Sequence, residues 1–345
     1  MTGVQTCALP IFMRRNYDES DARIRPSRRT KPRTKDRPSH ESAVIGFVIT
    51  VDRGRTTCVL EDETIVIAMK ARELGPKSVV VGDQVRIVGD ISGSEGSLAR
   101  IVGIEPRRTV LVRTVDDAAQ FERTLASNID QLVIVVAATN PEPKRGLIDR
   151  FLVSAFTEGI DPILIITKCD LATAPDFVNE YKSIGVRCFA TDKTSDLVEL
   201  HDALNGKVSV LVGHSGVGKS TLLNRLTAAD RQTGDVNDVT GRGRHTSSSA
   251  FAMKLMDYPN QRSKKNSWLI DTPGVRAFGL SHLDPDRIIA AFDELVEVTN
   301  SCMTNCSHFQ SDCALNSWMA PEGKEIPERV ARVTSLRNLL AAATE

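Results

Sequence analysis

A multidomain chain built around a parallel α/β sheet is what this sequence predicts, and three observations predict it. Residues 107–290 alternate β-branched runs with helical segments, the pattern of βαβ units. Residues 43–106 carry five short β-branched runs split by turn clusters, the pattern of a small β-barrel of the OB type. Residues 291–345 gather three cysteines and a histidine between two helical stretches. At 345 residues, with 41% hydrophobic and 26% charged content, the chain has the bulk of an ordinary globular protein of two or three domains.

Residues 1–12 do not fit the rest of the chain. They resemble translated sequencing-adapter read-through and are not expected to be native, which leaves Met13 as the expected start. Residues 1–42 as a whole read as a disordered basic tail, because the stretch from Arg14 to Arg37 is polar, proline-bearing and arginine-rich. Such an arm suits a polyanion, or is a solvated tail without a target. In the barrel region Ala43–Val51, Thr56–Leu60, Thr64–Ala68, Gln84–Val88 and Ser97–Ile104 are the expected strands. Phe47 is the one aromatic there. If this barrel holds RNA, phosphate contacts by Arg53, Arg55, Lys70, Arg72, Lys77 and Arg86 are favoured over base stacking.

The α/β region begins with a strand at Ile129–Ala137 and a helix at Gly146–Glu158, with Leu147, Phe151 and Ala155 at helical spacing. Strands come next at Asp161–Thr167 and Val186–Ala190, then a helix near Asp196–Leu204 and a buried strand at Val208–Val212. After that last strand comes Gly213-His-Ser-Gly-Val-Gly-Lys-Ser220, a full match to G-x-x-x-x-G-K-[ST], and a helix with Leu222, Leu223 and Leu226 on one side. The glycines Gly213, Gly216 and Gly218 permit a tight turn that aims backbone N–H groups, those of His214, Ser215 and Val217 among them, at phosphate oxygens. Lys219 is expected to reach the β- and γ-phosphates, Ser220 to bind Mg²⁺, and Thr221 to lie beside them at the helix N-terminus. The bland alternative is a glycine-rich turn with no ligand.

The strand ending at Thr167 runs into Thr167-Lys168-Cys169-Asp170, a match to [NT]-K-x-D at a strand's carboxyl end, where α/β sheets bind ligands. A carboxylate at Asp170 can accept from guanine N1–H and the 2-amino group, whereas adenine would leave it unpaired. The Lys168 stem can lie along the base. Ala190-Thr191 stands where such sites often carry Ser-Ala, whose backbone meets guanine O6. Residues 230–249 form a polar, glycine-bearing stretch where a switch loop is expected, with Thr246 the best Mg²⁺ ligand in it. Strands at Ala250–Met256 and Asn266–Ile270 flank a basic hairpin, and the second ends in Asp271-Thr-Pro-Gly274. In such a D-x-x-G motif the aspartate holds Mg²⁺ through water and the glycine N–H senses the γ-phosphate.

The motifs come in an unusual order, with Thr167–Asp170 ahead of Gly213–Ser220 and Asp271–Gly274 last. That order resembles the circularly permuted GTPases, specifically the ribosome small-subunit-dependent GTPase A family. The resemblance spans roughly residues 43–345 and rests on the barrel, these motifs, Gly-Arg-His-Thr at 243–246 and the C-terminal cluster. It implies an OB-type barrel (43–106), a circularly permuted P-loop GTPase domain (107–290) and a small helical zinc-binding domain (291–345). It also implies a monomeric, cytoplasmic factor that binds the 30S ribosomal subunit and its 16S rRNA, turns GTP into GDP, and acts in late maturation of that subunit. Thr167 stands where asparagine is common in the family's motif, and Ser247 where a second threonine is.

Val275 occupies the place of the glutamine that orients the attacking water in many GTPases, so a slow unassisted reaction is expected. His245 and His214 are the imidazoles that could orient water instead, with Lys219 as the charge-stabilising partner; each histidine also has an ordinary structural reading. Cys302, Cys306, His308 and Cys313 offer three thiols and one imidazole, a closed set for one structural Zn²⁺ per chain that would staple a small domain lacking its own core. Buried, metal-free cysteines are the alternative. No apolar run approaches the roughly 20 residues of a membrane span, and Lys+Arg 44 balance Asp+Glu 44. Two other function classes stay open: an ATP-dependent P-loop enzyme, which Asp170 opposes, and an RNA-binding scaffold with GTP as a structural ligand, which intact Lys219, Ser220 and Asp271 oppose.

Overall fold

The computed structural model describes residues 42–52, 54–75, 79–116, 119–227, 250–259, 261–272, 285–290 and 292–344. The first five strands are β1 (Val44–Asp52), β2 (Arg55–Leu60), β3 (Ile65–Lys70), β4 (Gln84–Gly89) and β5 (Ala99–Ile104). Burial alternates along them: Val66 and Ala68 point inward from β3 while Ile65, Ile67 and Met69 are exposed. The order β1-β2-β3-β5-β4 returns to β1 through a β1–β4 ladder, so the sheet closes into the expected barrel. Val48, Cys58, Val85, Ile87 and Ile101 fill it. The barrel's single aromatic, Phe47, is not an open stacking platform; it stacks on Trp268 with ring centroids 5.1 Å apart.

Next comes a hairpin that the periodicity did not announce, β6 (Val110–Asp116) with β7 (Ala119–Ser127). It is tied to the barrel by Asp83, whose side chain is fully buried. Arg107 donates to both Asp83 oxygens at 2.7 and 2.8 Å, the Ser127 hydroxyl donates at 2.6 Å, and the Val80 N–H at 2.8 Å. A buried carboxylate persists only with such a full set of donors.

The main sheet holds β8 (Gln131–Ala137), β9 (Asp161–Thr167), β10 (Arg187–Ala190), β11 (Val208–Val212), β12 (Phe251–Lys254) and β13 (Trp268–Asp271), in the order β10-β9-β8-β11-β13-β12. All neighbours are parallel except β12, which runs antiparallel to β13. The parallel strands are covered on both faces and so are apolar almost throughout; β8 and β11 are buried at every position. Alternate residues serve two layers. Leu132, Ile134, Val136, Leu164 and Ile166 pack toward α1 (Arg145–Thr157) and α2 (Val178–Ser183). Val133, Val135, Ile163, Ile165 and Leu211 pack toward α3 (Val198–Leu204) and α4 (Lys219–Leu226). Helix α1 buries Ile148, Phe151, Leu152 and Ala155, one position round from the stripe that began at Leu147. Through Thr50 opposite Phe251, β12 also pairs with β1, so barrel and main sheet form one sheet of 11 strands.

The C-terminal segment contains α5 (Pro285–Ala290), α6 (Asp293–Thr299), α7 (Ala314–Met319) and α8 (Pro327–Thr344). The helical stretch ahead of the cysteines is two helices, α5 and α6, with the buried Phe292 (φ −120°, ψ 72°) just before α6. This segment does not stand on its own core. Val333, Leu336, Leu339 and Leu340 of α8 belong to the same buried cluster as Ile148 and Phe151 of α1. Arg332 adds an ion pair with Glu294 and a 3.3 Å bond to the Ser183 carbonyl, and lies over the Phe292 ring.

Candidate functional site

Two strand ends meet at the carboxyl edge of the main sheet. The first is the loop between β11 and α4. Gly213 has φ +145°, and a Cβ there would stand 2.2 Å from the Val135 carbonyl oxygen, so the chain leaves β11 against the neighbouring strand only as glycine. Gly216 and Gly218 also have positive φ, and Gly218 precedes the first turn of α4. His214, Ser215, Gly216, Ser220 and Thr221 are exposed, while Val217 is buried as the loop's anchor. Lys219 folds back over the loop, its Nζ donating to the Gly213 and His214 carbonyls at 2.6 and 2.7 Å. Burial lowers its pKa, and the charge of Asp271 opposes that shift. The Lys219 ammonium thus lies at the mouth of a glycine-lined, amide-rich turn, where an anion would compete with the two carbonyls for it.

The second strand end is the segment after β9. Thr167 is buried, and its hydroxyl bridges two elements: it lies 3.1 Å from the Val136 carbonyl and makes a second bond to the Val217 carbonyl in the glycine loop. Thr167 thereby ties the segment after β9 to the glycine loop. Lys168 takes φ +59° and sends its Nζ to the Asn140 carbonyl, which lays its stem across the edge of the sheet. Cys169 is half-buried, its N–H donating to the Thr191 carbonyl at 3.1 Å. Asp170 and Ala190 are exposed, and Ala190 pairs with Ile166 of β9. The Thr191 N–H donates to the Ile166 carbonyl at 2.7 Å.

Sequence reasoning passed over the turn after β8, where Asn140 and Pro141 lie between Lys168 and Gly216. The Asn-Pro pair was the available signal for a turn there. Pro141, Pro143, Leu147, Phe151, His214 and Val217 line an apolar pocket of about 160 Å³ beside the glycine loop. Asp271, at the end of β13, is buried, and the Thr272 hydroxyl donates to Leu211 at 3.0 Å, holding β13 beside β11. His245, Thr246, Gly274 and Val275 lie outside the described residues.

A separate cluster joins Cys302, Cys306, His308 and Cys313, whose ligand atoms all lie within 4.8 Å of one another. The Cys302 Sγ, Cys313 Sγ and His308 Nδ1 atoms are mutually 3.8 Å apart. With metal–sulfur bonds of about 2.3 Å, a tetrahedron has edges of about 3.8 Å, so this donor set fits a closed tetrahedral ion. The His308 N–H donates to Cys306 Sγ at 3.4 Å, and Arg337 holds the His308 carbonyl at 2.7 Å, fixing the loop from outside. Burial pushes the Cys313 thiol up to about 11. Met303 and Phe309, each beside a cluster residue, are exposed.

A family model described as RsgA GTPase matches residues 104–281. A small ribosomal subunit biogenesis GTPase RsgA from Pseudomonas aeruginosa (strain LESB58) is 37% identical over 279 residues, 78% of this chain and 77% of that protein. One of the same description from Alcanivorax borkumensis is 38% identical over 275 residues, 76% of this chain and 74% of that protein. Among solved structures, YjeQ from Thermotoga maritima aligns with a TM-score of 0.57 at 22% identity, covering 85% of this chain and 98% of its own. YloQ, described as a circularly permuted GTPase, aligns at 0.56 and 21% identity, covering 88% and 98%.

Proposed function

The chain belongs to the RsgA GTPase family, and from that premise we propose that it hydrolyses GTP to GDP and phosphate while acting on the 30S ribosomal subunit during its late maturation. The single observation that supports this most is the joint between the two loops: Thr167 of the guanine-type motif hydrogen-bonds the Val217 carbonyl inside the phosphate-type loop. Base and phosphate ends of one nucleotide are thereby served by one rigid edge of the sheet.

In this reading Asp170 accepts from guanine N1–H and the 2-amino group, and Lys168 lies along the base. Ala190 borders its O6 edge. The backbone of Gly213 to Ser220 and the Lys219 ammonium take the phosphates. Ser220, Thr246 and Asp271 would hold Mg²⁺, which would neutralise charge on the β- and γ-phosphates. The Gly274 N–H would sense the γ-phosphate, and His245 or His214 would orient water where Val275 cannot. The Cys302, Cys306, His308, Cys313 set takes one Zn²⁺ as a structural ion. We divide the chain into a barrel at 43–106, a GTPase domain at 107–290 and a zinc-binding segment at 291–345, with 16S rRNA as the surface contacted. No helix among the described residues is long and apolar enough to cross a membrane; a monomer working in the cytoplasm suits the ribosomal partner.

Nucleotide competition tests the base assignment. GDP and GTP should displace a fluorescent guanine nucleotide at least about a thousandfold better than ADP and ATP, since a site built for one hydrogen-bond pattern rejects the other. Equal displacement by ATP contradicts it. Lys219→Ala should weaken GTP and GDP together.

A further inference from the structure

The loop after β10 is held from an unexpected side. Asp192 organises it: its Oδ1 accepts from the Thr194 N–H at 2.6 Å, the Ser195 N–H at 2.6 Å and the Thr194 hydroxyl at 2.9 Å. The Asp192 N–H in turn donates to the Ser195 hydroxyl at 2.8 Å. These bonds hold the Asp192 carboxyl down at about 2, so the turn is locked across the working pH range. The carbonyls of that turn face away from solvent, toward α4. There Arg225, in the last turn of the helix that Lys219 and Ser220 begin, spreads its guanidinium over them. One nitrogen donates to the Asp192 carbonyl at 2.6 Å and the other to the Ser195 carbonyl. The same loop is anchored at its start by the Cys169 N–H, which donates to the Thr191 carbonyl, and at its end by the Leu197 N–H, which donates to the Tyr258 hydroxyl.

We propose that Arg225 is a positioning residue for base recognition: from the phosphate-binding helix it fixes the 190–196 loop against the Thr167–Asp170 motif. A planar fork of donors suits two carbonyls one turn apart, and lysine cannot copy it. Sequence shows Arg225 only as a solvent-side charge on an amphipathic helix. The consequence is a second tie between the two ends of the nucleotide site, beside the Thr167–Val217 bond. Loss of Arg225 should free the base-side loop while the glycine loop and Lys219 keep their own bonds.

This inference rests on the assignment of Thr167–Asp170 as the guanine motif. The test titrates wild-type protein and Arg225→Gln with GDP and with inorganic pyrophosphate, each with Mg²⁺, following displacement of a fluorescent guanine nucleotide. The expected result is GDP weakened by about tenfold or more with pyrophosphate unchanged, the loss of base-side binding alone. Arg225→Lys should recover little of it. Asp192→Ala, which loosens the same turn without altering α4, should show the same GDP-selective loss and carries the test if Arg225→Gln does not fold. Unchanged GDP affinity, or parallel losses for GDP and pyrophosphate, overturns the positioning role. Failure of wild-type protein to prefer GDP over ADP overturns the guanine assignment itself and is visible before any variant is made.

Discussion

A single hydroxyl shows how closely the site is specified. Thr167 stands where an amide is common, and its Oγ1 still reaches carbonyls on both neighbouring elements, Val136 and Val217. Thr167→Val keeps the shape and removes the donor from both. It should cost about 1–3 kcal/mol of stability or of nucleotide binding energy, read as a lower melting temperature together with weaker GDP binding. Asp170→Asn makes the opposite kind of change: it replaces acceptors with a donor facing guanine's own donors. GTP affinity should fall about a hundredfold or more and affinity for xanthosine triphosphate should rise, since xanthine offers a carbonyl at C2; equal loss for both nucleotides contradicts the assignment. Both motifs were legible because each lies at a fixed spacing on one strand end, as Lys219 does on the loop it closes, 6 positions from Gly213. Arg225 and Asn140 were not legible, because their partners lie on elements far away in the chain.

At the scale of elements, the long apolar strands announced themselves. Asp161–Thr167 and Val208–Val212 fall where the sequence placed them, since strands covered on both faces must be apolar throughout. The β6–β7 hairpin did not, because its residues mix polar and apolar types without a period-two run long enough to stand out. Helix α2 is too short to show a period, and so is the six-residue α7, which follows directly on Cys313. What fixes the hairpin is the Asp83 centre, a contact between residues 24 and 44 positions apart. Among the described residues, Arg107→Met would leave the buried carboxylate the Ser127 hydroxyl and the Val80 N–H as donors. Breaking a buried pair from one side should cost about 3 kcal/mol, a drop in melting temperature that a combined Asp83→Asn, Arg107→Met variant should partly recover. A full drop in the double variant would show that the pair is not the source.

Across the whole molecule, the parts named by sequence turn out to be joined. Barrel and GTPase sheet share hydrogen bonds through β1 and β12, and α8 closes over α1 in a common core. The zinc-type cluster was readable from composition alone, but not its attachment, which depends on where Val333, Leu336 and Leu340 fall in space. Metal loss should therefore travel. In Cys306→Ser the zinc content should fall from one per chain, and amide exchange should rise along α8 as well as within 302–313; a rise confined to 302–313 would contradict the shared core. The sequence order puts the proposed γ-phosphate motif directly before this C-terminal segment, so a partner that holds the segment would be placed to act on the reaction. GTP turnover by the purified chain, alone and with 30S subunits added, bears most directly on that coupling. A slow reaction alone, as Val275 implies, and a strong rise with 30S are expected. Turnover that is the same with and without the subunit would contradict a ribosome-triggered GTPase.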